Sequence, residues 1–168
     1  MNTIIRFAAG AFALGLIACS PQQAAETAPT EAAEASVHPV SGLQIVPLTV
    51  TSGDTVHRFD VEVAATFEEQ RQGLMFRTEL GPNEGMIFPR NPPDLASFWM
   101  RNTPLPLDII FVGTDGRIMN IAAETVPYSL ESVAAEGLTS LVLEIPGGRA
   151  AELGIGPGDL VEYEAPAN

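Results

Sequence analysis

The sequence predicts a single, mainly β domain, built as an antiparallel β-sandwich or barrel with two short helices. Short runs of β-type residues follow one another with turn residues between them, a spacing typical of antiparallel sheets rather than of βαβ units. Fifteen Gly and 14 Pro supply the turns, and 46% apolar residues are enough to build a core. The chain has one Cys, so an internal disulfide is excluded and packing must stabilise the domain.

Residues 1–19 have the pattern of an export signal. Arg6 precedes an apolar run at residues 7–18, which is too short to span a bilayer. The run leads into Leu-Ile-Ala-Cys, which resembles the lipobox of bacterial lipoproteins and implies cleavage before Cys19 and lipidation of its thiol. Ser20 stands where retention at the inner membrane usually requires Asp, which favours the outer membrane, facing the periplasm. The alternative is an ordinary signal peptide with a chance Cys.

Residues 20–42 consist largely of Ala, Glu, Pro, Thr and Gln, with almost no large apolar side chain. Such a segment cannot offset the entropy lost on ordering, so it predicts a flexible tether with His38 in solvent. The folded domain is expected over residues 43–165. From residue 43 onward, 7 Arg stand against 18 Asp and Glu, so the domain itself is strongly acidic.

The first part of the domain predicts two strands and a helix. Strands are expected at residues 43–50 and 56–65, and in the second one apolar and charged residues alternate, as in a strand with one face in water. Thr66, followed three residues later by Glu69, is a capping-box pattern. It predicts a short helix that ends at Gly73.

The second part of the domain predicts more strands and one more short helix. The run at residues 107–112 is apolar except for Asp108, so we expect a central strand buried on both faces. Asp115 and Gly116 then predict a hairpin turn. The other predicted strands lie at residues 86–88, 96–100, 118–123, 140–145 and 160–163, and the second helix at 148–153.

Composition excludes or disfavours several classes of function. The chain has no Lys, which excludes a lysine nucleophile. A net charge of −13 disfavours nucleic acid, because phosphate backbones are bound through Lys and Arg. His57 is the one His inside the predicted domain, which gives little support to a Ser/His/Asp triad or a zinc site. We therefore expect no cofactor and no nucleic-acid partner, and we assign no catalytic residue.

The most distinctive stretch is Phe-Trp-Met-Arg-Asn-Thr at residues 98–103, which contains the only Trp of the chain. Four further motifs accompany it: Gly-Leu-Met-x-Arg at 73–77, Gly-Met-Ile-Phe at 85–88, Leu-Glu at 143–144 and Gly-x-Gly-Asp at 156–159. This set, spread over about residues 55–163, resembles the family called domain of unknown function 192. The resemblance implies one compact β-rich domain of sandwich or barrel type, often secreted, and it implies no activity.

Our leading hypothesis from the sequence is a binding module. Aromatic and polar groups share one stretch without a nucleophile and base beside them, which favours a groove for a small ligand or an envelope protein. The candidate ligand-binding residues are Arg77, Trp99, Arg101, Asn102 and Asp108. In the structural alternative, Trp99 belongs to the core, Arg77 pairs with Asp108, and Asn102 orders the Pro-rich loop.

Two other functions stay open at this point. Met75, Met86 and Met100 supply soft sulfur donors for Cu(I), provided that the three sulfurs converge. A hydrolase of envelope glycan requires two carboxylates at one cleft, and the many acids of the domain offer many pairs. Three of these acids are expected to be solvated or to cap helices: Glu68, Glu79 and Glu144.

Overall fold

The computed structural model describes residues 36–165, and this range forms ten strands and two helices. The elements in chain order are β1 (Ser36–Val37), β2 (Gln44–Ser52), β3 (Thr55–Val63), α1 (Phe67–Gln72), β4 (Glu84–Asp94), β5 (Ser97–Phe98), β6 (Leu107–Gly113), β7 (Ile118–Ala122), β8 (Val133–Ala134), β9 (Thr139–Pro146), α2 (Arg149–Leu153) and β10 (Leu160–Tyr163). Neither helix of this range is long and apolar enough to cross a membrane. The predicted signal, Cys19 and most of the predicted tether lie outside the described residues.

Eight of the strands form one mixed sheet. Its order is β1-β2-β3-β4-β9-β6-β7, and β10 pairs with the edge of β2 that β1 also uses. Strands β5 and β8 form a separate two-stranded sheet. Every pair is antiparallel except β3 and β4, which run parallel. The mainly β class with two short helices is therefore confirmed.

The prediction of an antiparallel sandwich or barrel needs two corrections. Helix α1 lies in the connection between β3 and β4, and a crossover of this kind returns the chain parallel to the strand it left. Over residues 36–165 the sheet also does not close into a barrel. Its two ends meet at the tip of the β6–β7 hairpin, where Val161 N donates to Gly116 O at 2.9 Å and Ile118 N to Asp159 O at 2.9 Å.

A second contact covers strand β7. The side chain of Asn120 donates from Nδ2 to Ala134 O at 3.0 Å and accepts at Oδ1 from Glu136 N at 3.1 Å. These two bonds hold the segment that follows β8 against β7.

The sheet carries an apolar cluster on each face. Ile110 and Leu143 belong to the first cluster, whereas Ile109, Phe111 and Val142 belong to the second. Because successive side chains of a strand point to opposite faces, β6 and β9 are buried from both sides. Strand β6 is buried along its whole length, which confirms the predicted burial on both faces, but it lies next to the edge strand β7 rather than at the centre of the sheet.

Helix α1 forms where the capping pattern predicts it. Thr66 Oγ1 accepts a hydrogen bond from Glu69 N at 3.3 Å, and Glu69 Oε2 accepts one from Thr66 N at 2.7 Å. The helix ends at Gly73, whose φ of +48° lies in the left-handed region that favours Gly. The chain then turns into the loop that carries Met75 and Phe76.

The folded domain begins earlier than the predicted boundary at residue 43. Strand β1 pairs with β2 inside the segment predicted to be a tether. The side chain of His38 is 15% exposed, and its Nε2 lies 3.1 Å from Arg77 Nη2. The expectation of a solvated His38 is therefore wrong. The imidazole of His38 lies beside the ion pair of Arg77 and Glu62, which gives it polar neighbours within the fold.

Asp108 is fully buried in strand β6 and is satisfied by backbone donors. Its Oδ1 accepts from Glu124 N at 2.8 Å and from Gly148 N at 2.9 Å, and its Oδ2 accepts from Ala150 N at 2.8 Å. This carboxylate therefore joins the loop after β7 and the first turn of α2 to strand β6.

Replacing Asp108 with Asn should destabilise the domain. The new amide group exchanges an acceptor for a donor, so at least one buried N–H loses its partner. The free energy of unfolding, measured by urea denaturation, should fall by about 2 to 3 kcal/mol. Asp54, exposed in the turn between β2 and β3, provides the matched control. Equal unfolding midpoints for Asp108→Asn and Asp54→Asn would contradict the structural role of Asp108.

Candidate functional site

A pocket with a volume of about 540 Å³ opens on the face of the sheet that carries the second apolar cluster. Its size lies in the range that is usual for small-ligand sites. The pocket is formed by α1 and the loop after it, by the segment 97–103, by two side chains of β4 and by one side chain of β9. The lining residues are Phe67, Gln70, Arg71, Gln72, Gly73, Leu74, Met75, Phe76, Phe88, Arg90, Ser97, Phe98, Trp99, Met100, Arg101, Asn102, Thr103 and Glu144.

Aromatic rings supply much of the wall. Phe98 packs edge-on against Phe88, with 5.0 Å between the ring centroids. Trp99 follows directly and is 46% exposed, and Phe67 and Phe76 are also exposed at the pocket. Because neighbouring side chains of an extended segment alternate, Phe98 is anchored in the second cluster while Trp99 stays accessible.

Two loops of the wall are joined by their backbones. Phe76 N donates to Asn102 O at 2.8 Å, and both residues adopt positive φ angles, of 65° and 57°. Asn102 Nδ2 also lies 3.8 Å from the sulfur of Met75, within the reach of a weak hydrogen bond. The loop after α1 is therefore tied to the loop that carries Trp99, and the shape of the pocket depends on this junction.

Three guanidinium groups line the pocket. The Cζ atom of Arg101 lies 5.5 Å from the ring centroid of Trp99, and that of Arg90 lies 5.4 Å from the ring centroid of Phe98. Arg90 also donates from Nη1 to Gln70 Oε1 at 3.0 Å. Arg71 pairs with Glu68 at 2.7 Å on the surface of α1. Three of the seven Arg from residue 43 onward therefore gather at one pocket of an acidic domain.

Glu144 provides the only acidic side chain of the described lining. It projects from β9 and is 5% exposed, and the residues opposite it on the two flanking strands are the apolar Met86 and Ile109. Within residues 36–165 no group forms a hydrogen bond or ion pair with its carboxyl. Burial raises the pKa of Glu144 to about 8, because desolvation penalises the ionised form. At neutral pH the carboxyl is therefore mostly protonated.

The structure brings together three of the five candidate ligand-binding residues. Trp99, Arg101 and Asn102 line the pocket. Arg77 lies outside it, and its Nη1 is 2.7 Å from Glu62 Oε1. Asp108 is buried in β6 with its backbone partners. The predicted pairing of Arg77 with Asp108 is therefore wrong, since each has other partners.

Two of the three Met residues line the pocket. These are Met75 and Met100, whereas Met86 does not line it, although Met86 and Met100 are both buried in the second cluster. The sulfur of Met100 lies 3.1 Å from Thr125 Oγ1, which donates to it. In the described part of the chain, no three His, Cys, Asp or Glu side chains are grouped to hold a metal ion.

Sequence reasoning missed Glu144, Arg90 and Gln70. Glu144 was expected in solvent or at a helix cap, and that expectation is wrong, whereas Glu68 and Glu79 are exposed. The signal was present. Glu144 interrupts the apolar run 141–145 just as Asp108 interrupts the run 107–112, and both runs belong to strands buried on two faces.

Replacing Glu144 with Gln should change how stability depends on pH. The unfolded chain releases this proton near pH 4.5 and the folded chain only near pH 8, so the native Glu144 lowers stability as pH rises between these values. The slope from this group is at most about 1.4 kcal/mol per pH unit. The stability of Glu144→Gln relative to the native chain should therefore increase from about pH 4.5 to about pH 8 and then level off.

Urea denaturation of both proteins at a series of pH values measures this difference. Glu79→Gln, at an exposed position outside the pocket, is the control and should show a nearly flat difference. A flat difference for Glu144→Gln as well would show that the carboxyl is not desolvated.

Comparisons with known proteins extend these observations. The crystal structure of a protein of unknown function from Novosphingobium aromaticivorans DSM 12444 is 66% identical, with a TM-score of 0.76, and the match covers 79% of this chain and 94% of that chain. The structure of a putative transcription regulator from Sinorhizobium meliloti 1021 is 32% identical, with a TM-score of 0.70, over 72% of this chain and 95% of that chain. No curated protein matches the chain.

A family model also matches the chain. The match covers residues 48–163, which is more than half of the sequence, and includes both the lining segments and the central strands. The model describes an uncharacterized ACR, the domain of unknown function 192. On this match and on the two related structures, the chain belongs to the DUF192 family.

Proposed function

We propose that this chain is a lipid-anchored periplasmic binding module that takes a small ligand into the pocket beside Trp99. The observation that carries the proposal is the composition of that pocket: an accessible indole, three guanidinium groups and an unpartnered carboxyl around about 540 Å³. Apolar walls with a few converging polar groups are typical of small-molecule sites.

Charge distribution supports a ligand with an anionic group. The residues from 43 onward carry far more acids than Arg, yet the described lining holds three Arg and one acid. Arg71 pairs with Glu68 and Arg90 lies 3.8 Å from Asp94, whereas Arg101 has no carboxylate partner among the described residues. That acid is mostly neutral at pH 7 because burial raises its pKa. Local positive charge of this kind raises the concentration of anions near the pocket, and the planar guanidinium fork matches a carboxylate or phosphate.

Binding is favoured over the two alternatives. A glycoside hydrolase requires two carboxyl groups across the scissile bond, and the described lining offers Glu144 alone. A Cu(I) site made of three thioethers requires Met86 to join Met75 and Met100, and Met86 does not belong to the described lining of the pocket. We therefore propose neither of these functions.

We also propose no nucleic-acid partner. The name of the Sinorhizobium meliloti relative refers to transcription, but a domain with 18 acids, 7 Arg and no Lys repels a phosphate backbone. The Arg residues of the pocket fit one small anionic group better than an extended strand of phosphates.

Removing the aromatic and cationic wall should abolish capture of the ligand. The purified full-length chain is incubated with an envelope extract, and retained small molecules are identified by mass spectrometry after gel filtration. The double variant Trp99→Ala and Arg101→Ala should retain at least about ten-fold less of the enriched compound, because it loses a stacking surface and a charge.

Tyr128→Ala serves as the control, since Tyr128 is an exposed aromatic side chain outside the pocket lining. It should retain the compound as the native chain does. If no small molecule is enriched by the native chain, or if the double variant enriches the same compound equally, the proposed function is wrong.

The proposed anchor predicts lipidation at Cys19. Cells fed a labelled palmitate analogue should incorporate the label into the native chain and not into Cys19→Ala. Ser20→Asp should keep the label but move the protein to the inner-membrane fraction. Absence of the label from the native chain would rule out the anchor and leave an ordinary signal peptide, and a label that persists in Cys19→Ala would contradict Cys19 as the lipidated residue.

A further inference from the structure

We infer that the ligand of this pocket is a zwitterion, whose ammonium group contacts the carboxylate of Glu144 and whose anionic group contacts the guanidinium groups of Arg90 and Arg101. The inference rests on the proposed binding function and adds the chemical class of the ligand. It starts from two polar groups, a carboxyl and a guanidinium, that the described part of the protein leaves without a full set of partners.

The first of these groups is the carboxyl of Glu144. It is nine-tenths buried, it lines the pocket, and its neighbours on β4 and β6 are apolar. A buried carboxylate is costly unless a cation or several donors accompany it. Within residues 36–165 the chain supplies neither, so a cationic group of the ligand is the partner that offsets this cost.

The second group is Arg90. Its Nε atom is buried and forms no hydrogen bond to any of the described residues. The nearest carboxylate oxygen, Asp94 Oδ1, lies 3.8 Å away, beyond hydrogen-bond distance. Arg90 and Glu144 line the same pocket without forming an ion pair with each other. A molecule with one positive and one negative end can satisfy both.

The ring of Phe88 favours an ammonium group at the inner end. Phe88 lies on the same face as Glu144, since it follows Met86, the partner of Glu144 in the β4–β9 register, by two residues. Phe98 packs edge-on against Phe88, but the rings of Phe98 and Trp99 already face the guanidinium groups of Arg90 and Arg101. Aromatic rings attract alkylammonium groups through their quadrupole, and they do so most strongly in desolvated sites.

The charged groups that face the pocket set the expected pH dependence. They are Arg71 from α1, Arg90 from β4, Arg101 from the loop after β5, and Glu144 from β9. Glu144 changes charge near neutral pH, because burial raises its pKa to about 8. Binding of a cation to its ionised form should therefore strengthen as pH rises towards 8.

Matched probes test the inference without knowledge of the natural ligand. Glycine betaine and γ-butyrobetaine carry a trimethylammonium and a carboxylate at two different separations. In 3,3-dimethylbutanoate and 5,5-dimethylhexanoate a carbon atom replaces the nitrogen, so the shape is kept and the positive charge is lost. Tetramethylammonium carries the positive charge alone.

Fluorescence of Trp99, the only Trp of the chain, reports binding to the purified full-length protein, and calorimetry measures the affinity. At pH 8, at least one betaine should bind about ten-fold or more tightly than its carbon analogue and than tetramethylammonium. Glu144→Gln should remove this preference, whereas Glu79→Gln should keep it. Lowering the pH from 8 to 6 should weaken the binding of the betaine and should leave the affinity for its carbon analogue unchanged.

The inference is overturned if each betaine and its carbon analogue bind with equal affinity, or if the preference for the betaine survives in Glu144→Gln. The proposed binding function is tested separately, by capture of a small molecule from the envelope extract. If none of the probes binds, the inference is also wrong. The comparison of probes on the native chain does not depend on how well any variant folds.

Discussion

The burial of strands β6 and β9 on both faces is the constraint on which this structure depends. Apolar clusters cover each side of these two strands, so any charged side chain on them must be paired, hydrogen-bonded or neutral. Asp108 and Glu144 meet this demand in opposite ways. Asp108 is held by three backbone N–H groups and fixes the fold. Glu144 has no protein partner in the described range and remains available to a ligand.

The pocket exists because the helix and the loops on that face do not pack flat on the sheet. The capping box fixes where α1 starts, and Gly73 fixes where the chain leaves it. The bond from Phe76 to Asn102 then holds the two wall loops together above Glu144. The same segment that makes the sequence recognisable, around Trp99, thus forms one wall of a site whose floor is formed by strands of the sheet.

Local patterns allowed much of the fold to be predicted from the sequence. Alternation, turn residues and the capping box located most strands and both helices, since these signals depend on neighbours in the chain. Pairing between distant segments carries no such signal. The parallel pair β3–β4, the partner of Arg77 and the short strand β1 therefore escaped prediction. Of the site residues, Trp99, Arg101 and Asn102 were indicated by the aromatic and polar motif at 98–103. Glu144 was missed because β9 was not recognised as a strand that is buried on both faces.

The hydrogen bonds at the ends of the sheet bear on self-association. Open strand edges offer unpaired backbone groups to a second chain, and edge-to-edge addition is a common route to aggregation. Here the hairpin tip at Gly116 bonds to β10, and Asn120 holds the segment after β8 along β7. At these two places the strand edges are therefore already occupied, and the surplus of negative charge repels a second copy of the chain.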